Sequence, residues 1–159
     1  QIVCLAESGN VNIRDRDLDQ AVSAVAAGLQ RAGLDPGQTV AIMLPTGPDY
    51  FSAYFGILRA GGVPVPIYPP ARLTQIEEHV RRHAGILANA QAAMLVTVPE
   101  ARAVARLLEA HVGGLRRIAT VPELIAGGGV PRPVAIRPLN TAFMRCESCS
   151  FIWHPKVRM

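Results

Sequence analysis

Apolar positions recur along this chain in alternating helical and extended patterns. Leu18, Val22, Val25, Leu29 and Ala32 follow the spacing of one helix face, and Asp15 and Asp17 stand where carboxylates cap and favour a helix start. Gly33 ends that pattern, and Asp35-Pro36-Gly37 reads as a turn. Thr39 to Leu44 is then a continuous apolar run of strand length, suited to a sheet covered on both faces. The alternation continues with helices over 49–60, 73–89 and 99–112 and strands over 63–67, 92–98 and 118–121. Such an order implies βαβ units, right-handed crossovers and a largely parallel sheet, an α/β fold. The helix over 73–89 turns Leu73, Ile76, Val80, Ala84 and Leu87 to the sheet, with Glu77, Glu78, Arg81 and Arg82 on the water side. Ahead of these units, residues 1–6 and 11–13 flank the turn-rich Glu7-Ser8-Gly9-Asn10 and read as a small β-hairpin.

The stretch from Gly56 to Pro70, GILRAGGVPVPIYPP, is where helix and strand meet most abruptly. Gly61 and Gly62 stop the helix within a residue or two, and Pro69 and Pro70 give a rigid exit. Pro64 and Pro66 lack a backbone donor, so the strand between is expected to pair along one side only, near a sheet edge or a bulge. Past Leu124 the texture changes, and Gly127-Gly128-Gly129 with Pro131, Pro133 and Pro138 reads as a loop or linker over 126–140.

The run LRAGGVPVPIYPP resembles a core motif of the AMP-forming adenylating enzymes, in particular the fatty-acyl-AMP ligases and acyl-CoA synthetases. The preceding VAIMLPTGPDYFSAYFG (40–56) and the following QIEEHVRRHAGILANA and AAMLVTV keep the same order, so the likeness covers roughly residues 11–125. It implies that residues 1–125 form part of the N-terminal subdomain of the adenylate-forming fold. Residues 141–159 then lie where the family has its phosphate loop. By resemblance Thr141 to Met144 is the strand entering that loop, Ser148 and Ser150 are two of its serines, and Pro155-Lys156 is its close. Cys149, Ile152 and Val157 stand where the family has glycines, which makes the loop degenerate. The implied reaction joins ATP and a fatty acid into acyl-AMP, with acyl-CoA as a further product in one branch. No catalytic residue and no metal ligand is assigned. ATP and magnesium belong to the intact family, and this chain, ending before the rest of that fold, is expected to be a truncated ligase, incompetent alone. A second reading makes it a binding module or half of a split ligase, joined to a partner chain or a second copy through an uncovered sheet edge.

Composition narrows the alternatives. The 159 residues suffice for one domain with a core, half of them hydrophobic and 18% charged. The most apolar stretch, Ala84 to Val98, is interrupted by Asn89 and Gln91, which reads against a membrane span. The start lacks a secretory pattern, so a cytoplasmic location is expected. It also lacks a Met, which suggests a processed or trimmed chain. The net charge of +4 comes almost wholly from arginines scattered in pairs, and aromatics are 5%, a poor pattern for nucleic acid.

Three further groupings have ordinary explanations. The triple glycine at 127–129 leads into prolines, not into the helix a phosphate cradle needs. His79 and His83 share a helix face at metal-ligand spacing but sit in a solvated charge run, and are expected as surface histidines. Cys146 and Cys149, with His154 beyond, make half a zinc or dithiol site, and the remaining cysteine, Cys4, lies at the far end of the chain.

Overall fold

A computed structural model describes residues 2–6, 9–68, 76–135 and 141 of the chain. Strands β1 (Ile2–Ala6) and β2 (Gly9–Ile13) form the expected antiparallel hairpin, a two-stranded sheet of its own. Then follow α1 (Asp15–Arg31), β3 (Thr39–Met43), α2 (Pro48–Arg59), β4 (Val63–Pro66), α3 (Ile76–Asn89), β5 (Ala92–Thr97), α4 (Arg102–His111), β6 (Arg117–Thr120) and α5 (Val121–Ala126). The main sheet has the order β4-β3-β5-β6, and every pairing in it is parallel. The chain is thus α/β with a four-stranded parallel sheet.

Two apolar clusters sandwich the sheet. Val25, Ala26 and Leu29 of α1, Ala53 and Ile57 of α2 and Leu124 of α5 pack with Val40, Ile42 and Val96 on one face. Val80 and Leu87 of α3 and Val104, Ala105 and Leu108 of α4 pack with Ala41, Met43, Val65 and Leu95 on the other. The chain steps from β3 outward to β4 and then back past β3 to β5. One handedness of crossover therefore requires α2 and α3 to lie on opposite faces. Every residue of β3 is buried, which explains its uninterrupted apolar run.

Strand β4 is an edge, as its prolines require. Val63 donates to the Gln38 carbonyl and Ile67 to the Ile42 carbonyl, both at 2.9 Å, so the odd-numbered residues face β3. Pro64 and Pro66 alternate with them and turn outward, where a missing N–H breaks no ladder bond. The bulge lies elsewhere, between Thr39 and Val40 in the pairing of β3 with β5. At the end of α2, Gly62 donates to Ile57 and Gly61 to Leu58, a paired closure in which Gly61 takes φ +84°.

Local differences from the sequence expectations have identifiable causes. Asp15 and Asp17 occupy the first turn of α1, while Arg14 is the N-cap and offers no side-chain capping bond. The helix expected over 99–112 begins as a 3-10 turn, Pro99–Ala101. Helix α5 was not anticipated. Its signal is a capping box: the Thr120 hydroxyl accepts from the Glu123 amide while the Glu123 carboxylate accepts from the Thr120 amide. Leu73 lies outside the described residues, and the other assigned face positions of α3 hold, with Glu77, Glu78, Arg81 and Arg82 exposed.

Gly28 is where α1 meets α5, since a Cβ there would run into the Leu124 backbone. Gly28→Ala is expected to lower unfolding stability by about 1–3 kcal/mol through overpacking. Gly85, on exposed α3 with open space around it, is the control. Gly85→Ala should raise stability by about 0.5–1 kcal/mol. Denaturant titration measures both, and a neutral Gly28→Ala would contradict the close α1–α5 contact.

Candidate functional site

Ser148, Ser150 and Lys156, the residues assigned to a degenerate phosphate loop, lie outside the described residues, as do Cys146, Cys149 and His154. The functional surfaces available are therefore those of the sheet and its helices. In an open parallel sheet, the crevice beyond the carboxyl ends of the strands, where strand order reverses, is the preferred ligand position. Here that reversal falls between β3 and β5. The Thr97 hydroxyl donates to the Met43 carbonyl at 3.3 Å and ties the two strand ends together.

Beside this crevice α2, which starts at Pro48 a short loop after β3 ends, carries Tyr50, Phe51, Tyr54 and Phe55 near its N-terminus. Tyr50 stacks on Tyr54 with centroids 6.3 Å apart, Phe51 meets Tyr50 edge-on at 5.7 Å, and Phe55 meets Tyr54 edge-on at 5.4 Å. Tyr68, just past β4, is 73% exposed. Burial, with Tyr54 and Tyr68 nearby, pushes the Tyr50 phenol above its usual range, so it remains a proton donor at neutral pH. This rim can offer aromatic faces and phenol hydroxyls to an apolar or planar ligand. The described residues contain no grouping of three or more His, Cys, Asp or Glu side chains able to hold a metal ion.

The triple glycine surrounds a cation. Arg31 donates to the carbonyls of Leu124, at 3.1 Å, and of Gly128. Carbonyls turned to a guanidinium are opposite in polarity to the amides that cradle phosphate. Beyond it, Gln30 exchanges two hydrogen bonds with the Arg132 backbone, at 3.0 and 2.7 Å, and holds the chain against α1.

His83 corrects the expectation of surface histidines, while His79 beside it is half-buried. Their rings stack with centroids 3.8 Å apart and planes 24° apart, and His83 is 7% exposed. The His83 Nδ1 bonds the His79 carbonyl at 2.8 Å, while the His79 Nε2 is fully shielded and has no hydrogen-bond partner. Stacked rings do not converge on a shared metal. Burial first, then the neighbouring His83 and Arg82, lowers the His79 pKa to about 4. Burial also lowers that of His83, against the opposing effect of its backbone bond.

Both folded-state values lie below the unfolded value of 6.5. The unfolded chain thus binds more protons in acid, and the stability due to the neutral pair is complete above pH 6.5 and lost as pH falls toward 4. Thermal unfolding followed by circular dichroism should show a falling midpoint across that window. His79→Phe, which keeps a ring and removes the proton site, should flatten the slope above the carboxylate range. An unchanged slope would contradict the buried neutral pair.

A family model described as AMP-binding enzyme matches residues 8–136. Over 118 residues the chain is 36% identical to the long-chain-fatty-acid–AMP ligase FadD32 of Mycolicibacterium smegmatis, covering 74% of this chain and 17% of that ligase. Over 65 residues it is 43% identical to the pyochelin synthetase PchE of Pseudomonas aeruginosa, covering 39% of this chain and 4% of that synthetase. Among solved structures, McyG A-PCP complexed with phenylalanyl-adenylate superposes with a TM-score of 0.78 at 18% identity, over 91% of this chain and 23% of that one. This last is a likeness of fold. The chain therefore spans well under two thirds of the length of these relatives.

Proposed function

This chain belongs to the AMP-binding enzyme family, and from that premise we propose that it serves as the N-terminal portion of a fatty-acid adenylating ligase. In the reaction a fatty carboxylate oxygen attacks the α-phosphorus of ATP, the bond to pyrophosphate breaks, and acyl-AMP and pyrophosphate result. The observation that carries the fatty-acid reading is the similarity to FadD32, which runs through most of the parallel sheet and its helices. The aromatic rim of Tyr50, Phe51, Tyr54 and Tyr68 supports it as an apolar surface beside the strand ends. In this reading residues 1–125 are the adenylation subdomain. Residues 126–140 lead to a degenerate phosphate loop at 141–159, with Ser148, Ser150 and Lys156 meeting ATP, in the cytoplasm.

The described residues supply scaffold and apolar surface, and no nucleophile is set beside a base in them. Adenylation needs none, since its barrier falls mainly through alignment of the two reactants and neutralisation of phosphate charge. In this reading the chain acts together with the remainder of the fold.

The test has two arms, both reading exchange of labelled pyrophosphate into ATP with a panel of fatty acids, salicylate and amino acids. The isolated chain is expected to show no exchange above a no-protein control. Residues 8–136 grafted in place of the corresponding segment of the M. smegmatis ligase are expected to keep fatty-acid-dependent exchange. Exchange by the isolated chain would overturn its incompetence. A folded graft that exchanges only with salicylate or amino acids would overturn the fatty-acid reading.

A further inference from the structure

The stretch from Gly127 to Val134 belongs to no helix or strand, yet it is tied down along its length. Gly128 and Gly129 take φ +56° and +104°, which turns the chain out of α5 and onto α1, and Arg31 holds the turn through the Gly128 carbonyl. Pro131 and Pro133 then fix φ and carry no N–H, so Arg132 has the one backbone donor among residues 131–133. Gln30 takes it. Its Oε1 accepts from the Arg132 amide at 2.7 Å while its Nε2 donates to the Arg132 carbonyl at 3.0 Å, so a side-chain amide does for Arg132 what a neighbouring strand would do. Two residues on, Val134 fills the space left by Gly61, where a Cβ would come within 2.7 Å of the Val134 Cγ1.

These ties give the strap a defined course, from the end of α5 across the last turn of α1 to the turn between α2 and β4. Its stiffness matters. A glycine-rich linker absorbs a shift at one anchor, whereas a proline-stiffened segment passes the shift on to whatever follows it. Polar ties of this kind add about 0.5–1.5 kcal/mol each, which is too little to close a core and enough to select one course for a loop.

We propose that Gln30 is a positioning residue for ATP. Through Arg132 it sets the point and the direction from which the chain leaves the strap toward residues 141–159. This role rests on the ligase reading above, in which those residues meet ATP. Alignment of the phosphates is where adenylation gains most, and a displacement of about 1 Å in what holds a reactant can cost ~100-fold in rate. Gln30 touches neither reactant and acts on the ATP side alone, since the aromatic rim of α2 is held by ring contacts of its own.

The test uses residues 8–136 grafted into the M. smegmatis ligase, with pyrophosphate exchange giving kcat and KM and calorimetric titration giving the ATP Kd without turnover. Gln30→Ala is expected to raise KM and Kd for ATP about fivefold or more and to leave KM for the carboxylate substrate unchanged. Gln30→Glu, which keeps an acceptor for the Arg132 amide and loses the donor to its carbonyl, should fall between the two. Arg59→Ala removes a comparable polar tie, from α2 to Asp19 and Ser23 of α1, and should leave both ATP constants as they are. A merely structural role for Gln30 would lower the thermal midpoint and the active fraction, hence kcat, without moving KM for ATP. Unchanged ATP constants in folded Gln30→Ala, an equal rise in Arg59→Ala, or a folded graft that binds no ATP would each overturn the role of Gln30. Exchange with salicylate or amino acids alone would overturn the fatty-acid reading and not this role, because the comparison is then made on that substrate.

Discussion

Full burial of β3 on both faces is the constraint from which the rest of the architecture follows. A buried strand must satisfy its backbone groups along both edges, and its side chains need a helix layer above and below. Strands β4 and β5 supply the edges, while α1 with α2 and α3 with α4 supply the layers. The reversal of chain direction around β3 then opens a crevice at the strand ends, beside the aromatic start of α2. The rim's position is thus a consequence of how the core closes.

Electrostatics reinforce this packing at the far side of the sheet. Arg31 fixes the end of α5 through backbone carbonyls, and Arg102 fixes its start through Glu123, whose carboxyl is held below its usual pKa by that guanidinium and by the Thr120 amide. Two arginines are thereby used to hold both ends of α5. Backbone carbonyls engage the first of these arginines and one carboxylate engages the second.

Much of the fold was legible in the sequence because its signals are local. Alternating apolar periods gave the order of strands and helices, Gly61 and Gly62 gave the end of α2, and Pro64 and Pro66 gave the edge position of β4. The Thr120-x-x-Glu123 box is equally local, and it starts a helix at Val121, the residue that the apolar pattern assigns to the end of a strand. Burial of His83 was not legible: a histidine in a run of charges reads as solvated until α3 is docked, and only the docked helix shows it facing inward. Nor was the grip of Arg31 on the end of α5, since α1 and α5 lie far apart in sequence and converge only on assembly. Ser148, Ser150 and Lys156 rest on family resemblance, and the described residues neither bring them together nor separate them.

Residue-resolved amide hydrogen exchange tests the central claim, a parallel sheet organised around a fully buried β3, most directly. The account predicts the slowest exchange in β3 and β5, which are buried along their whole length, and faster exchange at the solvent-side ends of α3 and α4. Rapid exchange throughout β3 would contradict it.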